Sequence, residues 1–330
     1  MATELVETNT TIEEPVRTPE VATEFDESTP IWDAFLPQRL SLKNIDWPVF
    51  FWMAAMHIGF LAAPFFFTWQ AGVTALVVHF LCSSCGICIG FHRYLAHRSF
   101  QLKKPGEYFV MICAVLAGQG SPLRWAATHR LHHQRSDKEG DPHSPRDGVW
   151  WSHLTWLFIK QSPRDIARLY KKYIPDLTKR PVMQFCERTY GLLLFLSAPV
   201  IFSIGFLVGS LNGDGGMTQG IAFLLWALCF RIVVSYHSTW AVNSATHIWG
   251  YVSYKTTDDS KNNWWVALMT YGEGWHNNHH AHPRLARAGH RWWEVDISFW
   301  VIRLMQYMGL ATNVVDKIPD HGAVSTEMEM

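Results

Sequence analysis

Four stretches of the chain stay apolar for about twenty residues each, Trp47–Trp69, Ala71–Phe91, Tyr190–Val208 and Gln219–Trp240, the length a helix needs to cross a bilayer core. A fifth, Tyr108–Gly118, is too short to span and is expected to be re-entrant or to lie at the interface. The joints between the first and second stretches and between the third and fourth hold no Lys or Arg. The segment from His92 to Thr189 carries seventeen, the tail after Trp240 seven and the N-terminal segment three. Because positive charge accumulates on the cytoplasmic side of spanning proteins, both termini and the long middle segment are expected in the cytoplasm. The pattern predicts an all-α, polytopic membrane protein: four transmembrane helices under a cytoplasmic helical cap. Residues 1–30 read as an acidic disordered tail, 31–315 as the membrane domain and 316–330 as a C-terminal tail.

Composition narrows the function. Apolar residues make up 48% of the chain and charged residues 17%, with 28 basic against 28 acidic groups, so no nucleic-acid partner is expected. The first thirty residues hold eight acidic groups and one basic residue, Arg17, which fits neither a signal peptide nor an Arg-rich transit peptide. Cysteines at 82, 85, 88, 113, 186 and 229 fall mostly within apolar runs. They read as reduced packing residues, since Cys82, Cys85 and Cys88 lack the fourth Cys of an iron–sulfur ligand run. His57, His79 and Arg231 lie in or near spans and are expected to find interhelical or interface partners.

Seventeen histidines remain to be explained, and eight fall in three boxes: His92 and His97 in HRYLAH, His129, His132 and His133 in HRLHH, and His276, His279 and His280 in HNNHH. Two spans separate the second box from the third, so the topology brings all three to one membrane face. On a helix, positions i, i+3 and i+4 share an arc of roughly 100°, and neighbouring imidazoles diverge enough to suit two metal ions better than one. The i,i+5 spacing of His92 and His97 does not fit one regular face, so the helix is expected to end or distort between them. Eight imidazoles exceed a structural zinc site, and ligand type alone does not name the metal.

The strings GFHRYLAHRSF, THRLHHQRSDKEGDPHSP, WAVNSATHIWG and GEGWHNNHHAHP resemble, in order and in placement around the spans, those of the integral-membrane Δ9-type fatty acyl desaturases. The likeness runs from about Trp47 to Leu310. It implies a di-iron centre of two Fe2+ ions with a ninth ligand, His247. One iron would take His92, His97, His133 and His280 with a water held by Asn243, and the other His129, His132, His247, His276 and His279. It implies O2 as oxidant and a cis double bond placed at Δ9 in a saturated acyl chain, because an unactivated methylene needs an oxidant that no side chain supplies. Gln119, Trp125 and Thr239 match residues that bend the substrate tunnel. Counting helix rise back from His92 places the tunnel floor roughly 10 to 11 positions away, at Leu81 or Phe80, and the resemblance favours Phe80, with Leu76 one turn deeper on the same face.

Without an HPGG haem signature, a ferredoxin cysteine pattern or GxGxxG in the sequence, electrons are expected from a separate donor of ferredoxin or cytochrome b5 type, docked on the basic cytoplasmic surface. Where the animal acyl-CoA enzymes carry Arg–Asp before the second box, this chain has Ala127 and Thr128. Its strings look more like the cyanobacterial and plant-type enzymes, which favours an acyl-lipid over an acyl-CoA substrate, with a bacterial inner membrane as the setting. The competing readings are a histidine-rich di-iron hydroxylase or sterol oxidase and a non-catalytic metal-binding membrane protein.

Overall fold

The computed structural model describes residues 29–318. The chain divides into residues 1–30 and a compact unit over 31–330, and every helix below belongs to the second. The tail expected over 1–30 lies outside the described residues except for its last two, and so does most of 316–330.

Four helices have the length and apolar character to cross a membrane, over Trp47–Phe66, Trp69–Ala96, Pro181–Asn212 and Gly216–Ile248. Each overlaps an apolar stretch read from the sequence. The second and fourth run past it into the cap as histidine-bearing helix, through His92 to Ala96 and through His247 to Ile248, and the third starts nine residues earlier, at Pro181, in polar helix without histidine. Helix α1 (Trp47–Ala62) starts where the Asp46 carboxylate accepts the Val49 N–H, an N-cap followed by Pro48 in the first turn. The second span begins as α2 (Trp69–His79), capped by Thr68, and continues as a π-helix over Phe80–Ala96. The π-helix packs on α3 (Lys104–Leu116), the short apolar segment, which is a thirteen-residue helix too short to span. A Cβ on Gly86 would lie 2.6 Å from the Ala114 backbone nitrogen, so only glycine permits this approach.

The cap continues with α4 (Pro122–Arg135), α5 (Val149–His153) and α6 (Pro163–Tyr173). Helix α7 (Pro181–Asn212) is the third span. It turns at Gly213, in the left-handed region, into α8 (Gly216–Phe223), which runs through a short π-helical stretch into α9 (Arg231–Ile248). Gly205 and Gly209 lie where α8 presses on α7, the small-residue contact that brings membrane helices close. The short helices α10 (Trp264–Met269) and α11 (His276–Ala281) precede α12 (Ile297–Tyr307). Strands β1 (Gln101–Leu102) and β2 (Ala311–Thr312) pair antiparallel and tie the end of the chain to the start of α3.

All six cysteines are free and buried, as expected. The three ionisable residues expected to find partners in or near the spans do so. His57 Nε2 lies 3.2 Å from His237 Nε2, His79 Nδ1 lies 3.3 Å from Ser83 Oγ, and Arg231 donates to the Leu116 and Ala227 carbonyls.

Candidate metal centre

The nine histidines converge at the cap end of the spans. Five of them, His92, His97, His129, His133 and His279, bring one ring nitrogen each within 4.8 Å of the others, and His132, His247, His276 and His280 do the same in a second group. Adjacent residues of each HxxHH box are divided between the groups, as their divergence on a helix requires. The grouping differs from the partition implied by the resemblance: His129 and His279 lie with His92, His97 and His133, and His280 lies with His132, His247 and His276. Helical geometry supplies the reason. Residues i and i+4 are about 40° apart around an α-helix and i and i+3 about 60°, so each box keeps its i,i+4 pair together, His129 with His133 and His276 with His280.

The distortion expected between His92 and His97 takes the form of the π-helix. Its bonds join residues five apart, His97 N–H donates to the His92 carbonyl at 3.1 Å, and the two rings stand 4.7 Å apart on one side. A π segment at a functional site is a common use of this rare geometry.

Four carboxylates hold the outer nitrogens. Nδ1 of His92 lies 2.8 Å from Oε2 of Glu273, that of His132 2.9 Å from Asp141, that of His247 2.7 Å from Asp137 and that of His280 2.7 Å from Asp258. A carboxylate at Nδ1 fixes the proton there and leaves Nε2 as a lone pair, the arrangement of metal-binding histidines. Those Nε2 atoms then face one another: His92 to His279 at 3.0 Å, His279 to His133 at 3.0 Å, His97 to His129 at 2.8 Å and His247 to His276 at 3.1 Å. Nε2 of His280 is buried without a partner. Too few protons are available to pair every one of these atoms, whereas a cation in each group would satisfy them all. The residues fit two metal ions.

The electrostatics agree. Burial first, then the neighbouring rings, push His97, His129, His133, His276 and His279 well below the ordinary imidazole value, which leaves them neutral as metal ligands must be. Burial also lowers His280 against the pull of Asp258, while in His132 the Asp141 carboxylate outweighs burial and raises it. Burial opposes ionisation of Glu273, but Arg93 and then His92 outweigh it and hold the carboxyl at about 2. Asp137, Asp141 and Asp258 are likewise held below the usual carboxylate range by their histidines. Glu273 is locked in turn by Arg93, which bridges it to Asp296 at 3.0 Å on each side.

The asparagines of HNNHH are structural. Asn277 accepts the Ser253 and Tyr254 N–H groups, and Asn278 donates to Glu294, which anchors six-residue α11 from behind. Asp137 and Asp258 are absent from the sequence reading because they lie 110 and 22 positions from the histidines they hold. The one available signal was the acidic run SDKEGDP beside the second box. His143 packs beside His132 and Asp141 at the edge of the second group.

A cavity of about 630 Å³ reaches the centre, with Gln119, Trp125, His129, Thr239 and Asn243 in its wall. Gln119 donates to Thr239 at 2.8 Å and lies 3.3 Å from Ser235 Oγ, while Trp125 stacks on His129 with ring centres 4.9 Å apart. The polar contact is thus Gln119–Thr239–Ser235, with the indole serving as a wall against a histidine of the first group. Asn243 stands one turn before His247 on α9. Thr128 lines the cavity, whereas Ala127 is wholly buried in the core and is not placed to meet a head group. Leu76, 70% exposed, lines a second cavity of about 380 Å³ with His79 and Val234, and Phe80 lines neither, its ring packed edge-on against Tyr271.

A family model described as fatty acid desaturase matches residues 67–309. The chain is 39% identical over 287 residues to the sn-2 palmitoyl-lipid 9-desaturase of Nostoc sp. (strain 36), covering 87% of this chain and 96% of that one. It is 43% identical over 274 residues to the sn-1 stearoyl-lipid 9-desaturase of Anabaena variabilis, covering 82% and 94%. It is also 39% identical over 267 residues to an acyl-CoA 5-desaturase of Anemone leveillei, covering 81% and 78%.

Proposed function

The chain belongs to the fatty acid desaturase family, and from that premise we propose that it places a cis double bond at Δ9 of a saturated chain esterified in a membrane lipid, using two irons, O2 and electrons from a separate ferredoxin or cytochrome b5 type donor. The observation that carries this reading is the junction of two histidine groups, with tautomers set by carboxylates, and a cavity that begins at His129 and Trp125. The balance is one CH2–CH2 unit, O2, two electrons and two protons giving one CH=CH unit and two waters. Two irons, when bound, supply the activation of O2 for removing hydrogen from an unactivated methylene.

The chain's own residues select which methylenes are presented. The hydrogen-bonded pair Gln119 and Thr239 fixes one wall of the cavity and the Trp125 indole another, so a chain passing between them is bent beside the first histidine group. A bent chain already has the shape of the cis product, which lowers the cost of reaching it. Asn243, on the helix of His247, would hold a water beside the four-nitrogen group, which has one fewer ligand than its neighbour. Leu76 remains the residue proposed to limit chain length, through the second cavity, whereas Phe80 stands outside both. The cap is proposed to face the cytoplasm, in a bacterial inner membrane.

Expression in a host lacking Δ9-unsaturated fatty acids tests the reading: double-bond localisation and lipid-class analysis should find Δ9 monoenes in intact glycerolipids. Alcohols in their place would identify a hydroxylase, and stearoyl-CoA turnover with no action on lipids would overturn the carrier. In the same host Asn243→Leu is expected to retain about two irons and lose turnover, measured by metal analysis beside product yield, and wild-type turnover would show the amide to be dispensable.

A further inference from the structure

The cavity that reaches the metal centre has a second end. Its far wall is made by two spans, with Pro48 and Trp52 of α1 on one side and Tyr190, Gly191 and Phe195 of α7 on the other. Pro48, Gly191 and Phe195 are exposed on the outside of the molecule, Phe195 by 69%, on a flank that both helices present to lipid. One edge of the cavity is therefore a slot between the first and third spans, bordered by these exposed residues.

Polar groups gather at this end. Arg124, Tyr170 and Glu187 line the slot together with Asp46, the N-cap of α1. Tyr170 donates to Glu187 Oε1 at 2.8 Å, but Glu187 Oε2 and Arg124 Nη1 are buried with no hydrogen-bond partner. A buried charged group left partly unpaired is costly, so these two atoms mark where a ligand supplies what the protein lacks: an acceptor for the guanidinium and a donor for the carboxylate. Glu187 is six residues into α7, about 9 Å below its cap-side start, and because the helix is about 48 Å long against a hydrocarbon core of about 30 Å, a bilayer centred on it would carry its ester and glycerol oxygens near this depth.

We propose that Arg124, Glu187 and Tyr170 form a subsite for the uncharged ester and hydroxyl groups of a glycerolipid whose acyl chain enters laterally through the slot between α1 and α7. This rests on the reading of the chain as an acyl-lipid desaturase and adds where, and by which groups, the lipid is recognised. Arg124 donates to the ester carbonyl, and a glycerol or sugar hydroxyl donates to Glu187. Two carboxyl groups, Asp46 and Glu187, surround the single guanidinium, which suits a neutral head group and opposes the phosphates of CoA. Gly191 leaves the slot open, since a Cβ there would meet nothing within 4 Å and the space beside it is free.

The test uses full-length, iron-loaded protein with a distearoyl glyceroglycolipid as probe, in vesicles otherwise made of a non-substrate diphytanyl phospholipid. Arg124→Gln and Glu187→Gln should raise the half-saturating mole fraction of the glycolipid at least about tenfold, as expected when one buried partner of a polar pair is lost, with iron content unchanged. Native mass spectrometry should find one glycolipid retained by the wild type and lost from both variants. Gly191→Trp should block turnover of the lipid while retaining iron. Equal retention and equal half-saturation in wild type and variants would overturn the subsite and leave the desaturase reading standing. Retention that depends on Arg124 and Glu187, without desaturation of any acyl donor by the wild type, would overturn the desaturase reading and leave the subsite. Preference for an anionic phosphatidyl lipid over the glycolipid would overturn the assignment of a neutral head group.

Discussion

Each carboxylate at the centre acts on one proton. Asp258 accepts from Nδ1 of His280, and Glu273 Oε2 stands 2.8 Å from Nδ1 of His92 as an ion-pair contact, so the lone pair of each ring points inward without a search through tautomers. Replacing either by its amide keeps the size and removes the charge, and an amide can present its NH2 to the ring and reverse the tautomer. Glu273→Gln and Asp258→Asn are each expected to lower metal affinity or activity roughly 10–100-fold, read as iron retained during dialysis against a graded chelator. Full retention in both would show the carboxylates to be spectators. Asp141 was within reach of a sequence reading because it stands nine positions from His132. Asp137 and Asp258 were not, since only tertiary folding brings them to His247 and His280.

At the scale of the element, the hydrophobic pattern carried most of the fold. All four spans and the short α3 are legible as apolar runs of distinct length, and the misfit of the i,i+5 histidines to α-helical periodicity pointed to an end or a distortion there, which the structure shows to be a π-helix. What the pattern lacked was azimuth. Choosing i,i+4 over i,i+3 partners within a box depends on a difference of about 20° around the helix and on where the facing helices stand. The π-helix needs a close neighbour to keep its register, and Gly86 against Ala114 of α3 provides the contact. Gly86→Leu would drive a side chain into backbone that cannot yield cheaply, so a loss of roughly 1–3 kcal/mol is expected. His92 and His97 should shift with it. The check is thermal unfolding in detergent together with iron content: both should fall in Gly86→Leu, and Gly191→Ala, in open space, should change neither.

For the whole molecule, function depends on the cap and the spans meeting at one level of the membrane. Every histidine group lies at the end of the spans where α1 and α7 begin, and the turn at Gly213 lies at the other end of α7, thirty-two residues away, about 48 Å along a straight helix. The proposed orientation rests on charge, since the polar segments at the histidine end carry nearly all the basic residues. The six native cysteines are buried, so a single introduced thiol can be labelled against little background. Glu139 is exposed in the turn after α4, and Asn212 is exposed at the end of α7. A membrane-impermeant maleimide should label Glu139→Cys only in inside-out vesicles of a bacterial host and Asn212→Cys only in right-side-out ones. The reverse pattern would invert the orientation and put the donor surface outside the cell, away from cytoplasmic reductants. Labelling of both from one side would mean that α7 does not cross, and the slot between α1 and α7 would then open to water instead of lipid.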